Sequence, residues 1–399
     1  MFNPQLLDNF TSNFNNKYLN IISMKNKLPI YLILLLVLVG SCITPITDFT
    51  QVVSTSFLTV EASITDQIGP HKVKLFSSSN KLTGTYFLPI TNAKLYFLDE
   101  KGVKENLIES AKGTYLTSSK YQGRVGGTYT LFIETTDGKK YQSQPETMKP
   151  VPEIESLLTR FEVQDNYTKG DPRRGGFNLY VDFQDPATPG DNYQWYWKHY
   201  ERAYICETCM GGSYDFKTNT CVQPKIPTDI TLNYRCDGDC WDITFSTELN
   251  VFSDNYLNGQ RITGKQVARV PFDGVSPYYL QFEQRAITRN SYNYYQGLNA
   301  QIQNNGTLFD VPAETKFSFN IKSTSNPSEK ILGIFDVYSV RKKIFYIDRT
   351  QVPKDELPAV RSLQGEIFAC LPGQLGCKDL VQCNEGLYRT PFKPAGWKD

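Results

Sequence analysis

Histidine is almost absent from this chain, which contains only His71 and His199 among 399 residues. So few imidazoles argue against the common zinc sites and against catalysis by a Ser-His or Cys-His pair. The sequence also lacks a G-x-S-x-G elbow, an H-E-x-x-H motif, a P-loop and a dinucleotide-binding fingerprint. We therefore expect a protein that is not an enzyme and that uses no cofactor and no metal.

The chain also has no excess of positive or negative charge. Lysine and arginine together number 42, aspartate and glutamate 41, and the formal net charge is +1. Proteins that bind nucleic acid carry a concentrated basic surface, so we expect no nucleic-acid partner. Tyrosine and phenylalanine are abundant, at 25 and 24 residues, whereas methionine is scarce. This composition is typical of a β-rich extracytoplasmic protein.

Only one long hydrophobic run is present, over residues 28–39, and it is shorter than the roughly 20 residues of a spanning helix. Two lysines precede it and Gly40-Ser-Cys42 follows. A basic start, an apolar core and small residues before a cysteine are typical of a lipoprotein signal peptide, here residues 24–41. We expect Cys42 to be acylated and to become the N-terminus, and several acyl chains would anchor it firmly. A short transmembrane anchor is the alternative.

The remaining eight cysteines form a group of five and a group of three, namely Cys206, Cys209, Cys221, Cys236 and Cys240, then Cys370, Cys377 and Cys383. In an oxidising compartment such cysteines pair as disulfides. Because both groups are odd, complete pairing requires at least one bridge between them. Eight cysteines allow 105 connectivities, so no individual pair is predicted.

Metal or redox chemistry is the alternative for these cysteines. Cys206-Glu-Thr-Cys209 has the spacing of half a zinc ribbon or of a thioredoxin-like motif. The shortage of histidine, the C-x3-C spacing of Cys236 and Cys240 and the missing βαβ context favour disulfides. Asp237 and Asp239 lie in the same short loop and leave a calcium site open as a minor alternative to a solvated turn.

Hydrophobic alternation predicts two β-rich domains. Leu58, Val60, Ala62 and Ile64 alternate with polar residues, and Asp137-Gly138 separates two further strand-like segments. About seven short strands predict an immunoglobulin-like β-sandwich over residues 57–150. Residues 1–41 form the leader, whose part before the signal peptide is interpreted as an over-extended start, and 42–56 form a lipidated tether.

The second predicted domain, 151–350, is β-rich with one packed helix near 289–303. Thr288 is the expected N-cap, and Asn305-Gly306 the expected stop. Residues 351–399 read as an irregular tail that contains cysteine.

One strand of the second domain has an unusual number of large aromatic side chains. Its candidate binding residues are Trp195, Tyr196, Trp197, Tyr200 and Tyr204. Tyrosine and tryptophan are enriched at interfaces, so one face of this strand could stack against sugar rings or a partner protein. The alternative is that both faces are buried in the core.

Several segments resemble one known family. Val251-Phe-Ser-Asp-Asn-Tyr-Leu-Asn-Gly259 and Gln284-Arg-Ala-Ile-Thr-Arg-Asn-Ser-Tyr-Asn-Tyr-Tyr295 are similar to hallmark segments of a Bacteroidota lipoprotein family, that of domain of unknown function 4249. Asp185-Pro186 followed by Asn192-Tyr193 is similar too. The resemblance covers about residues 42–350 and leaves out the tail.

The resemblance implies an outer-membrane accessory protein, because members of this family are usually encoded beside TonB-dependent transporters. We therefore expect a non-enzymatic lipoprotein, facing the cell surface rather than the periplasm, that docks onto an outer-membrane β-barrel protein. A surface protein that binds glycan or peptide is the first alternative, and a hydrolase with an unfamiliar site is the second.

Overall fold

The structure is a computed structural model that describes residues 56–81, 84–223, 229–303, 318, 320–359, 367–370 and 378–398. Within these ranges the chain is mainly β, with many strands and one helix, which confirms the predicted fold class. The predicted leader, Cys42, the stop at Asn305-Gly306 and Cys377 lie outside the described residues. No helix in the described ranges is both long and apolar enough to span a bilayer.

Strands and helix are numbered in chain order. The first nine strands are β1 Ser56–Thr65, β2 Lys72–Lys81, β3 Gly84–Pro89, β4 Lys94–Asp99, β5 Lys104–Ala111, β6 Thr114–Leu116, β7 Thr128–Glu134, β8 Lys140–Ser143 and β9 Glu146–Thr147. The next nine are β10 Ser156–Val163, β11 Gly175–Gln184, β12 Asn192–Arg202, β13 Ile205–Met210, β14 Ser213–Asp215, β15 Thr220–Val222, β16 Thr231–Asp237, β17 Trp241–Phe245 and β18 Asn250–Ser253. The remainder are β19 Arg261–Pro271, β20 Tyr278–Ile287, helix α1 Arg289–Gln303, β21 Ile321–Ser323, β22 Ile331–Ile347, β23 Leu380–Gln382 and β24 Arg389–Thr390.

The first sandwich closes over one core. Its ladder runs β21-β8-β7-β4-β5-β6-β2-β1-β22, with β3 paired to β2 and β9 to β7. The predicted apolar positions of β1, Val60 and Ile64 among them, are fully buried. Phe97 on β4 stacks on Phe335 on β22 with ring centroids 5.5 Å apart, although four strands separate these two in the ladder. The β4 and β22 parts of the ladder therefore face each other across the core, as in a sandwich.

The second sandwich has a separate core. A three-stranded sheet, β10-β11-β19, supplies one layer, and strands β20 and β12 with their neighbours supply the other. Phe183 on β11 meets Tyr193 on β12 at 5.0 Å between ring centroids. Leu179, Val181 and Phe282 are fully buried in the same cluster.

Strand β22 belongs to both sandwiches. Its residues 331–338 pair in parallel with β1, and its residues 339–347 pair in antiparallel fashion with β20. Where it passes β1, Gly333 adopts a φ of 94°, and a Cβ at this position would lie 1.9 Å from the carbonyl oxygen of Val60. Only glycine allows the two backbones to approach so closely.

Helix α1 covers the junction where β12, β18 and β22 meet. Its start matches the predicted cap, because the Thr288 hydroxyl accepts a hydrogen bond from the Ser291 amide at 3.4 Å. The Tyr295 hydroxyl donates to the buried carboxylate of Asp336 on β22. Burial is the main cause that raises the pKa of Asp336.

Candidate functional site

The predicted aromatic strand, β12, has its tryptophans in the core. Trp195 is 2% exposed and Trp197 8% exposed, and both belong to the core of the second sandwich. The Trp195 indole N–H donates to the Gln284 side-chain oxygen at 3.0 Å. Neither tryptophan can therefore form part of an exposed stacking surface, because the β10-β11-β19 sheet covers this face of the strand.

The opposite face of β12 is half-buried. Tyr196 lies under the guanidinium of Arg285, whose central carbon is 4.5 Å from the ring centroid. Tyr200 meets Tyr279 edge to face at 5.7 Å. Just beyond the strand, Tyr204 is 72% exposed. Of the five predicted binding residues, Tyr200 and Tyr204 are therefore the two that reach an open surface feature.

That feature is a cleft of about 610 Å³. Its aromatic lining residues are Tyr200, Tyr204, Tyr346 and Trp397. Its polar lining residues are His199, Glu201, Arg202, Ser276, Asp348, Arg349 and Lys398. Burial raises the pKa of the Tyr200 hydroxyl. Aromatic rings beside charged and hydroxyl groups suit a ligand that is part apolar and part polar.

The chain's last residues build one wall of this cleft. Tyr279 donates its hydroxyl to the carbonyl oxygen of Ala395 at 2.7 Å, and the Lys398 amide donates to the Tyr346 hydroxyl at 2.7 Å. Trp397 packs against Trp241 at 6.2 Å between ring centroids. Sequence reasoning did not find Tyr346 or Trp397, because nothing local signals that the tail returns to strands β20 and β22.

His199 lies at the cleft but is held by packing. Its ring stacks on Tyr278 with centroids 3.6 Å apart, and its Nδ1 is 2.8 Å from the carbonyl oxygen of Tyr279. Because a carbonyl only accepts, Nδ1 carries the proton. His71 is buried in the first sandwich, where burial lowers its pKa. Both histidines are thus engaged in the packing of their own sandwiches.

A small disulfide-linked unit adjoins the cleft, and we call it the cystine module; it comprises residues 203–223, 229–240, 367–370 and 378–392. Strands β13-β16-β23 form one of its sheets and β14-β15 the other. Its bridges are Cys206–Cys236, Cys209–Cys221 and Cys240–Cys383. The last one joins the two cysteine groups, as their odd numbers required.

Disulfide bonds engage the cysteines that the structure describes. All seven cysteines among the described residues, Cys370 included, are disulfide-bonded. A zinc ligand or a redox nucleophile must be a free thiolate. In the loop between Cys236 and Cys240, the Asp239 carboxylate accepts a hydrogen bond from the Arg202 guanidinium at 2.6 Å. This loop is a solvent-exposed turn with an ion pair.

Exposed apolar side chains are concentrated on the cystine module. Ten large hydrophobic residues there are exposed: Tyr204, Met210, Phe216, Val222, Ile230, Ile367, Leu380, Leu387, Tyr388 and Phe392. Leu387, Tyr388 and Phe392 are each about two-thirds exposed, at 67%, 66% and 65%. Where exposed apolar side chains lie next to one another, such a surface usually contacts another molecule.

Comparison with protein families gives one match. The family model described as domain of unknown function (DUF4249) matches residues 43–344. The chain belongs to this family. No curated protein matches it. The DUF4249 match contains both sandwiches up to β22, and it ends before Tyr346, Trp397, Cys383 and strands β23 and β24. The tail that completes the cleft and the cystine module is thus an addition to the matched region.

Proposed function

We propose that this DUF4249 protein is a non-enzymatic outer-membrane lipoprotein, anchored through Cys42 at the cell surface, that docks onto a β-barrel protein of a TonB-dependent transport system. The observation that carries the proposal is the set of exposed apolar residues on the cystine module. Disulfides hold this module rigid, and a rigid apolar surface loses little conformational entropy on binding. The lipoprotein signal and the Bacteroidota family resemblance support the compartment and the class of partner.

The anchor also lowers the affinity that docking requires. Two proteins held in one membrane plane meet at a high effective concentration, so a modest interface is enough. The first sandwich then serves as a spacer between the lipidated tether and the module. In this arrangement Cys42→Ala abolishes acylation and releases the protein from the membrane fraction, which mass spectrometry of the N-terminal peptide and fractionation would detect.

The docking surface is tested by two matched double variants. Leu387→Ser with Tyr388→Ser removes two exposed apolar groups from the cystine module. Phe87→Ser with Leu88→Ser removes two others, 61% and 62% exposed, from β3 of the first sandwich. After cross-linking on intact cells and purification in mild detergent, we expect a β-barrel protein with the unaltered chain and with the β3 variant. The module variant should lose it.

Two results would contradict the docking proposal. One is that no barrel protein is recovered with the unaltered, membrane-anchored chain. The other is that the module variant recovers the barrel as well as the β3 variant does. Thermal unfolding of both variants controls for a change in fold.

The cleft favours a second candidate function, the binding of a glycan or a peptide. Tyr200, Tyr204 and Trp397 offer ring faces or edges, while Glu201, Arg202 and Asp348 offer charged partners. Tyr204→Ala should weaken binding of oligosaccharide or peptide pools to the purified protein without any partner present. Leu387→Ser, on the same module but outside the cleft lining, is the control.

A further inference from the structure

Three fully buried aspartates meet at one edge of the second sandwich. Asp185 directly follows β11, Asp191 directly precedes β12, and Asp254 directly follows β18. Their exposed fractions are 1%, 1% and 0%. One carboxylate oxygen from each lies within 4.8 Å of the others. Three strand ends thus bring three acidic groups to a single point inside the protein.

Hydrogen bonds satisfy only part of this cluster. Asp185 accepts from the Tyr193 hydroxyl at 2.6 Å and from the Gly259 amide at 2.9 Å. One oxygen of Asp191 accepts from the Lys149 ammonium at 3.0 Å, and its other oxygen accepts no hydrogen bond from the described residues. Both carboxylate oxygens of Asp254 are buried without a hydrogen-bond partner in the described part of the chain.

A further oxygen donor lies on the same segment. Asn192 is 1% exposed, and its side-chain oxygen is buried without a partner among the described residues. Its amide nitrogen donates to the carbonyl oxygen of Gly190 at 3.0 Å, which fixes the side chain. In the described part of this region, the buried side-chain atoms without a partner are therefore all oxygens, and all are acceptors.

Charge balance points in the same direction. Among the described residues, the one ion pair to these three carboxylates comes from the ammonium group of Lys149, which is itself one-third exposed, at 32%. An unpaired carboxylate in the protein interior is strongly unfavourable unless a cation or several hydrogen bonds compensate it. Asp254 has neither within the described residues, so its burial calls for a bound positive charge.

We propose that Asp185, Asp191 and Asp254 bind a Ca²⁺ ion. Calcium takes oxygen ligands at about 2.3–2.6 Å, so two ligands on opposite sides of the ion lie about 4.8 Å apart. The three carboxylate oxygens lie within this distance of one another, so they can share such an ion. Mg²⁺ dehydrates reluctantly and is rarely held by protein oxygens alone, so this fully buried cluster favours Ca²⁺. No nitrogen or sulfur donor is in the set, which disfavours zinc and copper.

The ion would join parts of the chain that are distant in sequence. It would tie the 185–191 connection to the loop after β18, and through Asp191 and Lys149 it would reach the linker from the first sandwich. The three aspartates come from the segments around Asp185-Pro186, Asn192-Tyr193 and 251–259. The site is thus a structural clamp at the entry to the second sandwich, separate from the cleft and the cystine module.

The binding test uses the full mature chain with its disulfides formed. Isothermal titration with Ca²⁺ after chelation should show one site that is filled at about 1 mM, the range of extracellular calcium modules. Tb³⁺ replaces Ca²⁺ at such sites and is excited by nearby aromatic rings. Tyr193, whose hydroxyl contacts Asp185, should sensitise its luminescence, and added Ca²⁺ should quench the signal by competition.

Two variants locate the site. Asp254→Asn keeps the shape of the side chain and removes its charge, so we expect Ca²⁺ affinity to fall by more than about tenfold, since even groups behind the ligands of a metal cost about 10–100-fold. Asp237→Asn, in the exposed loop between Cys236 and Cys240, is the control and should leave the affinity unchanged.

Two results would overturn the proposal. One is the absence of both calcium heat and Tb³⁺ luminescence in the unaltered protein, a readout that depends on no variant. The other is unchanged Ca²⁺ affinity in Asp254→Asn, which would place any bound calcium elsewhere.

Discussion

Cys240 and Cys383 are joined by a disulfide across 143 positions of sequence. This bridge fastens the tail beside β17, where β24 pairs with Trp241 and Asp242. The Cys209–Cys221 bridge, in contrast, closes a separation of only 12 positions. The two bridges therefore differ in what they hold together: one fastens a distant return of the chain, and the other joins two strands that are close in sequence, β13 and β15.

Removing the long bridge with Cys240→Ala and Cys383→Ala should lower the free energy of unfolding by about 5 kcal/mol, because a long loop gains the most entropy on release. Denaturant titration measures the loss. Cys209→Ala with Cys221→Ala is the control and should cost less, about 3 kcal/mol, because its loop is much shorter. An equal or larger cost for the short bridge would show that loop entropy does not decide the effect.

Gly333→Ala should destabilise the protein severely. The new Cβ would lie 1.9 Å from the Val60 carbonyl oxygen, and this steric clash should lower the free energy of unfolding by about 1–3 kcal/mol. The left-handed backbone conformation should cost alanine about 1–2 kcal/mol more. Gly102, with a φ of 80° and open space around its Cβ position, isolates the conformational part. Gly102→Ala should therefore lose about 1–2 kcal/mol only. Thermal unfolding of both variants would show whether they differ.

Glu146→Gln should change the pH dependence of stability. Glu146 is 4% exposed and accepts from the side-chain amides of Asn290 at 2.8 Å and Asn320 at 2.7 Å. Burial raises its pKa above the ordinary 4.5. A raised pKa means that the folded state favours the protonated form, so wild-type stability falls as the pH rises through the folded-state pKa. Glu146→Gln lacks this loss, so its stability relative to the wild type should increase towards neutral pH.

The control for this pH effect is Glu100→Gln. Glu100 lies at the surface, and its pKa is lowered to about 2, chiefly by a hydrogen bond from Arg124. Because this pKa is lowered, the ionised Glu100 carboxylate stabilises the folded state above pH 4.5, and this stabilisation is lost as the pH falls. Glu100→Gln should therefore be less stable than the wild type near neutral pH and should match it more closely in acid. Denaturant titrations from pH 2 to 8 would distinguish the opposite slopes. Parallel slopes in the two variants would rule out burial of Glu146 as the cause.

Trp241→Ala and Tyr204→Ala compare a buried residue that supports the cleft with an exposed residue that lines it. Trp241 is 1% exposed, and its loss should cost about 3–5 kcal/mol and loosen Trp397. Tyr204 is 72% exposed, and its loss should change stability by less than about 0.5 kcal/mol. Denaturant unfolding and the fluorescence of Trp397 measure both effects. A large loss of stability in Tyr204→Ala would place this ring in the core instead.

Local patterns in the sequence predict the parts of this fold that local physics controls. Alternation marks β1, the Thr288 cap marks the start of α1, and the odd cysteine groups require a bridge such as Cys240–Cys383. Each of these depends on neighbours along the chain or on simple parity. The burial of Trp195 and Trp197 was one of two interpretations, and only the position of the β10-β11-β19 sheet decides between them.

The sites depend instead on which distant strand ends become neighbours. Asp185, Asp191 and Asp254 come from three connections, and only the pairing of β12 with β18 and the packing of β11 against β12 bring them together. Trp397 reaches the cleft because Tyr279 and Tyr346 hold the tail. No periodicity or spacing in a single sequence contains these relationships.

Because strand β22 belongs to both sandwiches, the first sandwich is completed late when the chain emerges N-terminus first. Until Ile331–Ile347 is available, the first sandwich lacks strand β22, which pairs with β1. It also lacks Phe335, on which Phe97 stacks. During that interval β1 presents unpaired backbone groups and part of an open core, which is the state most prone to pairing with other chains. Correct folding of this protein therefore depends on protection of β1 until β22 arrives.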